Sequence, residues 1–162
     1  MNKIGEEYKT HGVGALFIYT HEAHPGENYP HLTSMEQKFS HAKYLKEKLG
    51  ISRDIRVDSL DGACHRAFGS MPNMTWIFNN VGIPIYKSAW TDTESVRNAL
   101  DYFLDVLERR RSGQRLVPFN VERLDYRQSD RNAFYQRLAE NGEKAVTEFR
   151  NAFGKERNRN EN

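Results

Sequence analysis

Cysteine is nearly missing from this chain. Cys64 is the only one in 162 residues, so an internal disulfide and a Cys-x-x-Cys redox pair are both excluded. Long apolar runs are missing too. No stretch approaches the roughly 18 apolar residues that a membrane-spanning helix needs. The opening Met1-Asn2-Lys3-Ile4-Gly5-Glu6-Glu7 has no apolar leader, so a soluble, cytoplasmic protein without membrane contact is expected. There is no internal repeat and no His-Glu-x-x-His zinc spacing. Excess charge of one sign is also scarce, 24 Lys+Arg standing against 22 Asp+Glu. The small basic surplus falls in the last third of the chain. It reads as a solvated arginine-rich helical face and does not imply nucleic acid.

The length suits one domain with an appendage, at about 150 residues per domain. The patterning sets the boundary near residue 110, with an α/β domain over 1–110 and an Arg-rich helical extension over 111–162. Residues 3–11 read as the last turns of a helix closed by Gly12. The apolar run Ala15-Leu16-Phe17-Ile18-Tyr19 reads as a buried parallel-type strand, followed by a long loop from His21 to Thr33. Ser34-Met35-Glu36-Gln37 offers a capping box for a helix through Leu49, with Met35, Phe39, Ala42, Tyr44, Leu45 and Leu49 as its buried stripe. A short strand at 55–57 and a short helix around Cys64 follow. Met74–Phe78 and Ile83–Lys87 then flank Asn79-Asn80-Val81-Gly82 as a β-hairpin, with Pro84 marking an edge strand. Asp92 or Thr93 caps a helix running to about Arg110. Two further amphipathic helices are expected near 130–140 and 142–153, free to dock on the main sheet or on another subunit. Lys155 to Asn162 reads as a polar end.

Titratable side chains gather where the first strand ends, in Thr20-His21-Glu22-Ala23-His24-Pro25-Gly26. Ligands of open α/β sheets collect at the carboxyl ends of strands. A histidine there can shuttle protons near neutral pH, and a neighbouring carboxylate can fix its tautomer. His21 points away from Glu22 if the strand persists and is expected in solvent. A zinc site from His21, Glu22, His24 and His31 is conceivable by ligand type, but the spacing supplies no helical ligand pair, so no metal or other cofactor is assigned. Cys64 reads as a small core thiol, because adjacent helical residues diverge and His65 does not face it. Trp76, Phe78, Tyr86, Trp90 and Phe103 read as filling between sheet and helix.

The order β-α-β, short helix, β-hairpin, α is similar to the bulk of a thioredoxin fold, a three-layer α/β/α arrangement around a mixed sheet. Within that fold the sequence resembles the iodothyronine deiodinase family and its bacterial deiodinase-like redoxin relatives. Three segments carry the resemblance: Phe17-Ile18-Tyr19-Thr20-His21-Glu22-Ala23-His24-Pro25, Val57-Asp58-Ser59-Leu60-Asp61 and Ala67-Phe68-Gly69-Ser70-Met71-Pro72. The resemblance covers roughly residues 1–105 and implies an oxidoreductase using thiol- or selenol-type reductive chemistry. It implies Glu22 and His24 as catalytic positions and, by a looser match, His31. It places Met71 and Pro72 at the substrate-facing turn, where a thioredoxin fold holds its proline in cis. It also implies a first strand and a Cys or selenocysteine nucleophile upstream of the Gly12 helix end, and these 162 residues contain neither. Histidine cannot replace a chalcogen in a two-electron reduction, so this chain is expected to be inactive or incomplete by itself. The expected partners are a thiol reductant, a small substrate of unspecified identity, and a second copy or a partner strand completing the sheet. The alternative is a non-catalytic binding or assembly module, or a gene fragment.

Overall fold

A computed structural model of the protein describes residues 1–122, 124–126 and 128–153. The polar end expected at Lys155 to Asn162 lies outside the described residues. The chain is mixed α/β, in the order α1 (Asn2–Lys9), β1 (Leu16–Tyr19), α2 (Met35–Lys48), β2 (Asp54–Val57), α3 (Ala63–Phe68), β3 (Thr75–Phe78), β4 (Pro84–Ser88), α4 (Thr93–Arg111), α5 (Arg131–Ala139) and α6 (Glu143–Phe153). The described strands form two two-stranded sheets instead of one mixed sheet: β1 parallel to β2, and β3 antiparallel to β4. Two compact units result. One contains α1, β3, β4 and α4; the other contains β1, α2, β2, most of α3, and α5 with α6.

In the first unit, Ile4 and Tyr8 of α1 meet Val96 and Leu100 of α4. Both pairs are spaced i, i+4, which puts each on one helical face. Ile77, Tyr86 and Leu104 pack around them, and each fully buried aliphatic side chain contributes about 1.5–3 kcal/mol. Asp92 caps α4 by accepting from the Ser95 amide at 2.8 Å. The hairpin turn is organised by Asn79, whose side-chain oxygen accepts from the amides of Val81 and Ile83 at 3.1 and 2.9 Å. Phe78 and Trp90 are exposed rather than packed as core. Phe78 stacks on Trp76 and meets Phe68 edge-on, yet these contacts leave it 43% exposed.

Pro72 corrects a sequence expectation. The Met71–Pro72 bond is trans, since no described peptide bond is cis. Trans is the ordinary state of an X-Pro bond, and here the chain reverses through positive φ at Gly69 (116°) and Ser70 (60°) instead.

In the second unit, β1 runs parallel to β2 in the register Leu16↔Asp54 to Tyr19↔Val57. The strand is parallel as read but not buried throughout. Tyr19 is buried, while Leu16 is 57% and Ile18 36% exposed, because a two-stranded sheet leaves alternate residues of β1 uncovered. Ser34 caps α2 by accepting from the Gln37 amide at 3.1 Å. Gln37 returns its side-chain oxygen to the Thr33 amide at 2.8 Å rather than to Ser34. The buried face of α2 also differs from the apolar reading. Lys38 and Ala42 are buried, whereas Phe39, Tyr44 and Leu49 are exposed. The helix is rotated so that Lys38 reaches a carbonyl beyond β2, and the large apolar residues on the other side pass to solvent.

Candidate functional site

The carboxyl ends of β1 and β2 hold two clusters of titratable side chains, and α2 contributes a residue to each. Glu22 lies three residues past the end of β1. The Tyr19 hydroxyl donates to its carboxylate, and His41 Nδ1 lies 3.1 Å from Glu22 Oε1. Burial pushes the Glu22 carboxyl above the usual range, and the bond to His41 opposes that rise. His41 in turn packs edge-on against the Tyr29 ring at 5.5 Å, and Tyr29 lies 5.8 Å from Tyr44. The result is a shielded carboxylate–imidazole pair with a phenol on each side, the chemistry of a proton relay.

The second cluster centres on Asp58 at the end of β2. Asp58 is 5% exposed and accepts from the amides of Ser59 at 2.8 Å, Cys64 at 3.0 Å and His65 at 2.9 Å. It therefore occupies the N-terminus of α3. Burial alone would raise its carboxyl; the three amides and nearby Lys38 outweigh burial and leave it below the ordinary carboxylate range. Lys38 is 1% exposed, and its Nζ donates to the Ser59 carbonyl at 2.7 Å. Burial lowers its pKa against the pull of Asp58 and Asp61. His65 is buried, and His21, although exposed as expected, rests its ring 4.7 Å from that of His65. Burial and then His65 lower the pKa of His21. Cys64 is half-buried, and its thiol is pushed up, first by burial and then by Asp58. Those are the conditions of an inert thiol, the reverse of an activated one.

The remaining sequence candidates are dispersed. The His24 ring lies edge-on to Phe149 at 5.3 Å and to Phe134 at 6.0 Å, and burial lowers its pKa. Glu22 thus pairs with His41, and His24 faces the aromatics of α5 and α6. His31 is exposed, its carbonyl accepting from Gln37 Nε2 at 3.4 Å. Met71 and Pro72 are exposed and belong to the other unit. Among the described residues, no group of three or more His, Cys, Asp or Glu side chains is arranged to hold a metal ion, and no helix is long and apolar enough to cross a membrane.

No protein-family model, curated protein or solved structure matches the chain. Lys38 and His41 are not legible as site residues in the sequence, because polar residues inside a helix read as its outer face. Their spacing does hold a signal: with Ala42 and Leu45 they follow i, i+3, i+4, i+7, one continuous helical stripe. Nothing local marks His41 as the partner of Glu22, 19 residues away.

Proposed function

We propose that this chain is a thioredoxin-type oxidoreductase domain of the deiodinase-like kind, contributing the proton-handling part of a thiol- or selenol-based reduction. The observation that carries this reading is the Glu22–His41 pair, shielded between phenols at the carboxyl end of a parallel strand. The raised Cys64 thiol is an unsuitable nucleophile, so the chalcogen is to be supplied by another thiol. In such a reaction a hydroperoxide and two thiols give an alcohol, water and one disulfide. The thiols are oxidised, the O–O bond is reduced, and the site delivers a proton to the departing oxygen. The test is chemical rescue, with the full chain, a small monothiol in excess and an organic hydroperoxide. We expect faster peroxide loss than with thiol alone, a drop of about tenfold or more in Glu22→Gln, and little change in Cys64→Ser. Equal rates with and without the protein would refute the reading.

One observation favours a binding or assembly role instead. β1 carries exposed Leu16 and Ile18 and pairs on only one side among the described residues. An apolar strand with an open edge is a template for strand addition. Under this reading, light scattering shows self-association that Ile18→Lys abolishes. A concentration-independent monomer excludes pairing between copies.

A further inference from the structure

We propose that the α5–α6 hairpin is a seated cover over His24, held by a polar clamp that can open while the β1–α2–β2 layer stays folded. The clamp is Asn141, in the turn between the two helices. Its Nδ2 donates to the His24 carbonyl at 2.6 Å, its Oδ1 accepts from the Tyr29 amide at 2.7 Å, and its backbone carbonyl accepts from the Asn28 amide at 3.3 Å. One residue thus bonds the loop at three points, from a sequence distance of more than 110 residues.

The seat is matched from both sides. α6 begins after Gly142, which has no side chain to cap it. Glu27 of the loop supplies the cap, accepting from the Lys144 amide at 2.9 Å, where a carboxylate also meets the positive end of the helix dipole. A Cβ on Gly26 would overlap the Asn141 carbonyl, and one on Gly142 would overlap the Glu27 carboxylate. Two glycines in distant segments therefore permit the same close approach. Lys48 and Glu140 form an ion pair at the rim at 3.0 Å.

The cover is tied rather than fused. α5 and α6 bury only Leu138 and Ala145 fully; Phe134, Tyr135, Val146 and Phe149 are half-buried, and Phe153 is exposed. Elements with little buried apolar contact and a few hydrogen bonds form the low-stability end of a fold, where local opening occurs. What the cover hides is the His24 imidazole, through the edge contacts of Phe134 and Phe149. The ring is left half-buried, with the hairpin's aromatics standing against it. The occlusion stands on geometry; its bearing on chemistry rests on the reading of His24 as a site residue.

Acylation by diethyl pyrocarbonate at pH 7, read residue by residue by peptide mass spectrometry on the full chain, tests the cover. The reagent attacks neutral imidazole, and burial keeps His24 on the neutral side, so slow reaction there reports shielding and not protonation. We expect His24 to react about tenfold slower than exposed His31, and Asn141→Ala to bring it to the His31 rate while His41 stays slow. Glu27→Gln should move His24 the same way by a smaller factor. A wild-type His24 as fast as His31, or a His24 unmoved by Asn141→Ala, overturns the proposal. Should Asn141→Ala expose His41 as well, Glu27→Gln decides, and an unchanged His24 rate there overturns it. Failed rescue of peroxide reduction with His24 still shielded would refute the functional reading and leave the cover standing.

Discussion

Replacing Asp58 by alanine is expected to destabilise the protein by about 3 kcal/mol, measured as a lower midpoint in urea at unchanged slope. Three backbone amides lose their acceptor at once, two of them at the start of α3, where the helix supplies no partner. Loss of a cap alone costs about 1 kcal/mol. Each buried amide left unpaired adds a similar amount, and Lys38 loses the stronger of the two charges that oppose its burial. For a domain whose total stability is about 5–15 kcal/mol, that is a large share. Asp58→Asn keeps one acceptor oxygen and should cost less than alanine. The two proteins should also differ in acid. The folded carboxyl lies below its ordinary value, so its contribution is fully present above the unfolded pKa of about 3.9 and is lost as pH falls through the folded value. Wild type should therefore lose stability below about pH 4 more steeply than Asp58→Asn. Parallel acid profiles would show that the carboxylate charge does not matter.

The second large effect is expected from Gly26→Ala, at about 2–4 kcal/mol, with the hairpin unseated. Gly26 is buried but needs no left-handed backbone; what it needs is space. The added methyl would overlap the Asn141 carbonyl and stand 3.0 Å from both Ala145 Cβ and Asn141 Cγ. The carbonyl cannot retreat cheaply, because Asn141 is bonded to His24, Asn28 and Tyr29. Overpacking costs about 1–3 kcal/mol where neighbours can shift, and the clamp hydrogen bonds add about 1 kcal/mol each if they break. Hydrogen exchange should show faster amides in 24–33 and 131–153, with β1, α2 and β2 still protected. Uniform loss of protection would mean that the hairpin and the layer beneath it unfold together, and unchanged exchange would mean that the methyl is accommodated.

These two residues show what kind of information each level carried. Asp58, just past a short strand, and Gly26, following a proline, are residue types of local turns and helix starts. Asp58 does start a short helix, whereas β1 ends at Tyr19, well before Pro25-Gly26. Neither reading contains the distant contact that the residue also makes. Besides its three amides, Asp58 meets the charge of a buried lysine from α2; Gly26 is needed because the carbonyl of Asn141 occupies the place of its side chain.

The same division applies to the site. Glu22 and His24 are two residues apart and read as one functional unit at a strand end. In the folded chain they serve different neighbours, Glu22 with Tyr19 and His41, His24 with Phe134 and Phe149. Sequence proximity stops predicting contact once the strand gives way to a loop, because the fixed alternation of side chains ends there. The trans Met71–Pro72 bond and the rotated face of α2 have related causes. Isomer and helix orientation are set by what packs against a segment, and hydrophobic pattern accounts for only part of that.

The sequence by itself determined the elements and their order. Caps, glycine stops, the Asn-rich hairpin turn and apolar periodicity act within a few residues and need no partner. It also determined that one cysteine could not form a redox pair, since that is a count. Tertiary structure alone decided that Lys38 is buried, that His41 completes the Glu22 pair, and that a hairpin near the end of the chain covers His24. Each of these joins segments 19 to about 125 residues apart, a choice made by packing and hydrogen bonding among whole elements and not by local preference.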